Sequence, residues 1–297
     1  MKIIALLSLV TLLFACEIEG VEDESSSKKK GSKRVADSLM NGIEDSTRNA
    51  DHQGSNTEEK AEVRDSLVLE SGLKIKWFEH GDGPTLKKGD VIKIDYRNKL
   101  KDGTIYDGNH LVKKPYLPFV VGWNQQTEGW DIAMQHLRIG DDVDVMIPAH
   151  LARGEKGIEG VVPPNADNFL SLRVLDRMKP IKEVDGIKIW KVDEPKTPGD
   201  SIEYKDEVYL DYWVSSESSP RYDNSYQRNR PFHLVMGDGN IVPGLYKALH
   251  FAREGDKLLI YIPSREAYGE EGLKDLVRPN EDILYDVRIG KVIKQDQ

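Results

Sequence analysis

Short segments in which apolar and polar residues alternate recur from about residue 65 onward, and this pattern indicates half-buried β-strands. Ile92-Lys93-Ile94-Asp95-Tyr96 alternates in this way, and Val208-Tyr209-Leu210-Asp211-Tyr212 keeps the same apolar positions. Further strands are predicted at 143–147, 169–175, 257–262 and 283–289. Two stretches read as helical, 130–137 and 245–252. The pattern predicts an α+β fold, with an antiparallel sheet curled over one short helix.

The predicted elements occur twice at a nearly constant spacing, which indicates an internal repeat. Three pairs of motifs stand 116 positions apart: Asp95-Tyr96 with Asp211-Tyr212, Tyr106-Asp107 with Tyr222-Asp223, and Pro115-Tyr116 with Pro231-Phe232. From Gly122 and Gly237 onward the spacing is 115 positions. We therefore predict two copies of one module, at residues 65–179 and 180–297, whose lengths differ by a single insertion.

Residues 1–15 consist of the basic start Met1-Lys2 and an almost wholly apolar segment at 3–15. The segment is shorter than the roughly 20 residues that a membrane-spanning helix needs, and it is typical of a signal peptide. Its end, Leu13-Phe14-Ala15-Cys16, resembles the bacterial lipobox and contains the only cysteine of the chain. The resemblance implies that Cys16 becomes a lipidated N-terminus, which would anchor the protein to a membrane without spanning it. The alternative is a cytosolic start with an ordinary buried cysteine.

Residues 16–64 are polar and charged, and they lack aromatic side chains. Such a composition cannot bury enough apolar surface to offset the entropy of ordering, so we predict a disordered tether. Together with the predicted anchor, it places the modules in the bacterial cell envelope, at the outer membrane or the periplasmic face.

Composition and motifs exclude several classes of function. The chain has a net charge of −9, whereas a nucleic-acid-binding protein needs a basic surface. One cysteine excludes an internal disulfide framework and a cysteine-based zinc site. The seven histidines show no metal-type spacing, and the chain has neither a P-loop nor a nucleophile elbow. We therefore expect no metal and no cofactor.

The residues that recur are instead aromatic and aliphatic, with one acid. In the second module they run in the order Tyr212, Tyr222-Asp223, Arg228, Pro231-Phe232, Gly237, Ile241-Val242-Pro243-Gly244, Pro263, Ala267-Tyr268-Gly269. The first module has the same frame in Lys101-Asp102-Gly103-Thr104-Ile105-Tyr106-Asp107, Gly129-Trp130 and Gly160-Val161-Val162-Pro163-Pro164-Asn165-Ala166. This series resembles the FKBP-type peptidyl-prolyl isomerases, over about residues 71–178 and 184–293.

The resemblance implies an isomerase that acts on X-Pro bonds of extracytoplasmic polypeptides, mainly through the second module. It implies catalytic roles for Tyr212, Asp223, Phe232 and Tyr268. It implies a substrate-binding set of Tyr222, Arg228, Ile241, Val242, Leu245, Val277 and Tyr285. The corresponding set in the first module is Tyr96, Tyr106, Asp107, Tyr116 and Trp130.

The two copies differ at these positions, so their sites are expected to differ. Where the second module has Leu245, Ile241-Val242, Tyr268 and Arg228, the first has Trp130, Gln126-Thr127, Arg153 and Val112. Asp107 thus lacks the arginine that follows Asp223, and an unpaired buried carboxylate is unfavourable. We expect Asp107 to be solvated or to pair with Lys113 or Lys114. The alternative function for the chain is a non-catalytic binding or chaperone lipoprotein, because a fold does not fix a function.

Overall fold

A computed structural model describes residues 62–295, and in this part of the chain two antiparallel sheets form, each of seven strands. The first sheet contains β1 (Asp65–Val68), β2 (Lys74–Glu79), β3 (Val91–Lys99), β4 (Ile105–Gly108), β5 (Leu117–Val120), β6 (Asp142–Ile147) and β7 (Asn168–Arg177). Its strand order is β1-β2-β6-β7-β3-β4, and β5 pairs with β3. The helix α1 (Glu128–Met134) lies between β5 and β6 in the chain.

The second sheet repeats this topology after a short connection. It contains β8 (Lys182–Val184), β9 (Ile187–Asp193), β10 (Glu207–Ser216), β11 (Asp223–Asn224), β12 (Phe232–Val235), β13 (Lys257–Ile262) and β14 (Ile283–Ile293). The order is β11-β10-β14-β13-β9-β8, and β12 pairs with β10. The helix α2 (Pro243–Leu249) precedes β13. The predicted α+β fold with one short helix in each module is confirmed.

Each helix packs against its sheet at a glycine. A Cβ atom on Gly129 would lie 2.3 Å from the Ile147 side chain, and a Cβ atom on Gly244 would lie 2.3 Å from the Ile262 side chain. No side chain other than hydrogen can stand at these positions, because the helix and the strand approach too closely. Both helices begin and end earlier than predicted, at 128–134 and 243–249 rather than 130–137 and 245–252.

The repeat spacing aligned Tyr116 with Phe232, but the strand register of β5 aligns a different residue with Phe232. Ile94 pairs with Leu117, and the corresponding Leu210 pairs with Phe232. Leu117 therefore occupies the strand position of Phe232, because the insertion precedes this strand rather than following it. Tyr116 lies just outside β5, with the Lys93 ammonium 5.0 Å from the centre of its ring.

The two modules pack against each other through an apolar cluster. Trp190, Leu259 and Leu284 of the second sheet are buried with residues of the first module, namely Val91, Val120 and Trp123. Trp123 meets Tyr261 edge-on with ring centroids 6.2 Å apart. The indole Nε1 of Trp190 donates a hydrogen bond to the backbone oxygen of Met178, 3.1 Å away.

Two ion pairs border this cluster. Lys88 and Glu217 approach to 2.5 Å, and so do Lys114 and Asp193. All four side chains are substantially exposed to solvent, so each pair adds little to stability. The apolar cluster is therefore the main contact between the modules.

The strand sequences explain why only the second sheet is covered on its outer face. In β6, apolar residues alternate with polar ones, and only the inward residues are buried. In β13, the run Leu258-Leu259-Ile260 is buried throughout, which is typical of a strand covered on both faces. Trp190 likewise breaks the alternation of β9 by being buried between inward-facing positions.

Within residues 62–295, no helix is both long and apolar enough to cross a membrane.

We expect Trp190→Ala to lower the free energy of unfolding by about 3 kcal/mol, because a buried tryptophan would be replaced by a cavity at the interface between modules. Denaturant titration followed by circular dichroism would measure this. The matched control is Ile181→Ala in the connection between modules, where the side chain is 52% exposed and the expected change is within about 0.5 kcal/mol. Equal effects of the two substitutions would contradict the role given to the interface.

Candidate active site

Three aromatic side chains from three strands of the second sheet meet over the start of α2. The rings of Tyr212 and Phe232 lie edge to face with centroids 5.8 Å apart, and Tyr285 lies 5.7 Å from Tyr212. Leu245, in the first turn of α2, is buried in the same cluster. The inward positions of β10, β12 and β14 thus build an aromatic surface around an aliphatic floor.

Half-buried side chains from loops complete the wall of this concave surface, which we call the second pocket. Ile241 and Val242 immediately precede α2, and Tyr268 follows the 3-10 turn Ser264–Glu266. Tyr222 and the buried Val277 pack against the same core. The structure therefore brings together every apolar site residue expected in the second module.

A closed polar network stands at the edge of the second pocket. The hydroxyl of Tyr212 donates to one oxygen of Asp223. Arg228 donates from Nη1 to the other Asp223 oxygen at 2.6 Å, and from Nη2 to the Tyr212 hydroxyl at 2.7 Å. The backbone N–H of Asn224 also donates to Asp223. Each member therefore holds the other two, which fixes the orientation of the Tyr212 ring.

The network keeps the carboxyl charged and the phenol neutral. Burial alone would raise the pKa of Asp223, but the hydrogen bonds from Tyr212 and Arg228 outweigh it and lower that pKa. Burial, followed by the hydrogen bond to Asp223, raises the pKa of Tyr212 to about 12. At neutral pH, the edge of the pocket thus presents a neutral hydroxyl and a compensated ion pair.

The hydroxyl of Tyr222 is the unsatisfied polar group of the second pocket. Its oxygen is buried and makes no hydrogen bond of ordinary geometry with any residue in the range 62–295. Burial raises the pKa of Tyr222, and the neighbouring Tyr285 and Tyr268 raise it further, Tyr268 in part through a hydroxyl contact that falls short of ordinary hydrogen-bond geometry. A buried hydroxyl without a partner costs about 1–3 kcal/mol. It is therefore a ready donor for a carbonyl oxygen that enters the pocket.

The first module has a corresponding aromatic cluster, which we call the first pocket, and a larger side chain forms its floor. Trp130, at the position of Leu245, is 1% exposed and meets Tyr96 edge-on at 5.1 Å. Phe119 lies 5.5 Å from Trp130. Sequence reasoning missed Phe119, and the alternation of β5 was the signal that could have identified it. The indole of Trp130 thus contacts both of these rings.

Asp107 finds different partners from those expected. The Tyr96 hydroxyl donates to it at 3.1 Å, and the Asn98 side-chain amide donates at 3.4 Å. Lys114 pairs instead with Asp193 of the second module. Of the two expected alternatives, pairing with Lys113 or Lys114 is not found; Asp107 is half-buried and accepts hydrogen bonds from Tyr96 and Asn98 of β3.

The walls of the first pocket are polar where those of the second are apolar. Arg153, at the position of Tyr268, donates to the Gln126 side chain at 3.3 Å. The Nε atom of Arg153 and the hydroxyl of Thr127 are buried, and neither has a hydrogen-bond partner among residues 62–295. Burial raises the pKa of Tyr106, whereas the charge of Arg153 opposes that rise. An apolar proline ring would leave these polar groups unsatisfied.

The second module adds a further cation near this wall. Arg221 donates to the backbone oxygen of Gln125 at 2.9 Å, and its guanidinium stacks over Trp213 at 5.3 Å. Burial lowers the pKa of Arg221, nearby Asp286 opposes this, and Arg153 lowers it further. The two arginines are therefore close enough to repel each other. Sequence reasoning missed Arg221, because no local pattern connects it to the first pocket.

Two expected site residues lie apart from these clusters. Tyr116 lies against Lys93 and is not part of the ring cluster of Tyr96, Phe119 and Trp130. Cys16 is outside the described residues. Within the range 62–295, no group of three or more His, Cys, Asp or Glu side chains is placed to hold a metal ion.

Comparisons with known proteins identify the same two regions. The family model described as FKBP-type peptidyl-prolyl cis-trans isomerase matches residues 83–174 and 199–290. The chain is 28% identical over 211 residues to "Peptidyl-prolyl cis-trans isomerase FKBP10" of Mus musculus, which covers 69% of this chain and 34% of the relative. It is 30% identical over 189 residues to "Peptidyl-prolyl cis-trans isomerase FKBP9" of Bos taurus, which covers 63% and 32%. The chain thus spans about a third of the length of these relatives.

Among solved structures, the crystal structure of the three FKBP domains of wheat FKBP73 matches with a TM-score of 0.38 and 21% sequence identity. The match covers 76% of this chain and 97% of that one.

We expect Arg228→Gln to raise the pKa of the Asp223 carboxyl toward its ordinary value of 3.8. Folding lowers the pKa of Asp223, so the network stabilises the folded chain at any pH above the ordinary pKa of the carboxyl. This stability is lost as the pH falls through the folded-state pKa, so acid unfolding of the variant should begin at a higher pH. An NMR titration of the carboxyl carbon would measure the pKa. Arg230→Gln is the control, since Arg230 is exposed and has no described contact with Asp223; an unchanged pKa in the Arg228 variant would contradict the account.

Proposed function

Because two matches to the family model show that the chain belongs to the FKBP-type peptidyl-prolyl cis-trans isomerases, we propose that it accelerates the isomerisation of X-Pro bonds in polypeptides. We assign this activity to the second pocket. The observation that supports the assignment is the closed aromatic surface of Tyr212, Phe232 and Tyr285 around Leu245, beside the unsatisfied hydroxyl of Tyr222.

The chemistry suits such a pocket. Rotation about an X-Pro bond must overcome a barrier of about 18–20 kcal/mol that arises from amide resonance. No covalent bond is made or broken, so the reaction calls for neither a nucleophile nor an acid-base pair. The planar amide is more dipolar than the twisted one. A pocket without water therefore disfavours the planar ground state relative to the twisted transition state.

Each residue of the second pocket has a distinct part in this proposal. Phe232, Leu245 and Tyr285 receive the proline ring and exclude water. Tyr222 and Tyr268 donate hydrogen bonds to the carbonyl oxygen as the amide twists. The ion pair of Asp223 and Arg228 holds the Tyr212 ring and hydroxyl in place, so it acts as a positioning device for the pocket wall.

For the first module we propose a non-catalytic role in which its pocket does not take up a proline ring. The buried and unpartnered polar atoms of Thr127 and Arg153 stand on the wall of this pocket. A proline ring that entered would desolvate these groups without satisfying them. This observation favours the alternative function for the first module, that of a non-catalytic binding or chaperone domain.

We further propose that the chain works outside the cytoplasm on proline-containing clients, held at a bacterial membrane by a lipid on Cys16. The support is the sequence alone: an apolar stretch of signal-peptide length ends at the only cysteine of the chain. The polar segment 16–64 would then tether both modules at a distance from the membrane.

Tyr222→Phe should lower kcat/KM for a short X-Pro peptide by about five- to tenfold, the value of one hydrogen bond to the substrate carbonyl. The same substitution removes a buried hydroxyl whose contact with Tyr268 is poorly aligned, so the free energy of unfolding should change by less than about 1 kcal/mol. A protease-coupled isomerisation assay and denaturant titration would measure both quantities.

The first module supplies the matched control for this experiment. Tyr106 is the repeat partner of Tyr222, and Tyr106→Phe should leave kcat/KM within twofold of the starting chain, an allowance of about 0.4 kcal/mol. A larger loss with Tyr106→Phe than with Tyr222→Phe would refute the assignment of activity to the second pocket.

The anchor is tested in a bacterial host fed a labelled fatty acid. We expect the starting chain to incorporate the label and to sediment with membranes, and Cys16→Ser to lose both properties while keeping isomerase activity. Label on the Cys16→Ser chain, or none on the starting chain, would overturn the proposed anchor.

A further inference from the structure

A cleft of about 340 Å³ lies on the outer face of the first sheet, bounded by β2, β6, β7 and the end of β3. The residues that line it with their side chains alternate with the buried residues of these strands. Four lysines are among them: Lys74, Lys76, Lys99 and Lys101. The cleft is therefore separate from the aromatic pocket, which lies on the inner side of the sheet.

The strand register explains the arrangement of the cleft. Lys74 pairs with Met146, Met146 with Phe169, and Phe169 with Lys99. One row across four strands thus has a lysine at each end and two half-buried apolar side chains between them. At ordinary strand spacing the two lysine backbones lie about 14 Å apart.

The charge of the cleft is unbalanced in favour of cations. Its four lysines face two carboxylates, Asp144 and Asp167. Lys99 donates to the Ser171 hydroxyl at 2.8 Å, and Ser171 donates in turn to Asp144 at 2.6 Å. Asp167 accepts the backbone N–H of Ala149. Lys74, Lys76 and Lys101 make no ion pair with residues of the range 62–295, so their ammonium groups are available to an incoming anion.

The same positions of the second sheet are apolar and already occupied. By strand register, Trp190, Leu259 and Leu284 stand where the first sheet has Lys76, Asp144 and Phe169. Trp190, Leu259 and Leu284 bury themselves against the first module. One copy of this sheet face therefore holds the modules together, and the other remains an open cleft lined with lysines.

We propose that this cleft binds an extended, acidic polypeptide segment of a partner protein. The lysines at the two ends of the row would pair with carboxylates, and Met146 and Phe169 would pack against the apolar side chains between them. A spacing of about 14 Å corresponds to four residues of extended chain, and residues four apart project from the same side of a strand. The expected ligand therefore has two acidic residues four positions apart with apolar residues between them.

The shape and the charges of the cleft favour a polypeptide over a membrane surface. A flat bilayer cannot enter a concave cleft of this size, and its continuous negative charge would be repelled by Asp144 and Asp167. Backbone N–H groups of a peptide can donate to those carboxylates while its acidic side chains meet the lysines. The inference does not depend on isomerase activity, because none of these residues belongs to either aromatic pocket.

The test is fluorescence anisotropy of the full chain with a labelled ten-residue peptide that has two glutamates four positions apart and valine or alanine between them. We expect one peptide to bind per chain, and binding to weaken with added salt because exposed charges are screened. A peptide with glutamine at both positions should bind about tenfold more weakly, within the range of two exposed ion pairs.

Variants of the chain locate the site. Lys74→Gln combined with Lys99→Gln should raise the Kd for the acidic peptide about tenfold and leave kcat/KM for the X-Pro peptide unchanged. Lys87→Gln combined with Lys196→Gln is the control, because both lysines are exposed and far from the cleft in sequence and topology. This control should leave the Kd unchanged.

Four outcomes would overturn the proposal: no binding of the acidic peptide, equal binding of the glutamine peptide, equal effects of the two lysine pairs, or two peptides bound per chain. Sedimentation with vesicles of phosphatidylcholine and phosphatidylglycerol tests the other class of anion. Loss of vesicle binding in the Lys74/Lys99 variant, without any binding of the peptide, would assign the cleft to a lipid surface instead.

Discussion

The burial of one apolar sheet face explains most of what distinguishes the two copies of this module. Trp190, Leu259 and Leu284 lie on the outer face of the second sheet, and they would expose a large apolar patch if the modules separated. Packing against Val91, Val120 and Trp123 removes that patch from water. The tandem arrangement is therefore a requirement of the second sheet rather than a mere consequence of the duplication.

The same contact determines what surrounds each pocket. Because the second module packs on the first, Arg221 reaches Gln125 and adds a cation near Arg153 at the wall of the first pocket. Tyr222, one residue further along, lies in the second pocket with its hydroxyl unsatisfied. Neighbouring residues of one loop thus lie at both pockets, Arg221 as a cation beside the first and Tyr222 in the second.

Local patterns in the sequence were enough to predict the long central strands, the presence of one short helix in each module and a candidate set of residues for the second pocket. The alternation in β3 and β10 identified inward residues, the repeat placed Tyr212 and Asp223 in one frame, and the family resemblance added Tyr268. The register of β5 was not predictable, because a single insertion could lie on either side of Tyr116. The partners of Asp107, the role of Arg221 and the lysine cleft depend on contacts between distant strands or between modules, for which the sequence has no periodic signal. The unbroken apolar run in β13 and the tryptophan that breaks the alternation of β9 were the local signs that a sheet face would be covered.

The two modules share one fold, and we propose that only the second has a site for proline. The most direct test is an NMR titration of the full chain with a short X-Pro peptide, following backbone amide shifts in both modules. The account predicts saturable shifts around Tyr222, Phe232 and Tyr268 and none around Tyr106, Trp130 and Arg153. Saturable shifts confined to the first module, or equal shifts in both, would contradict it.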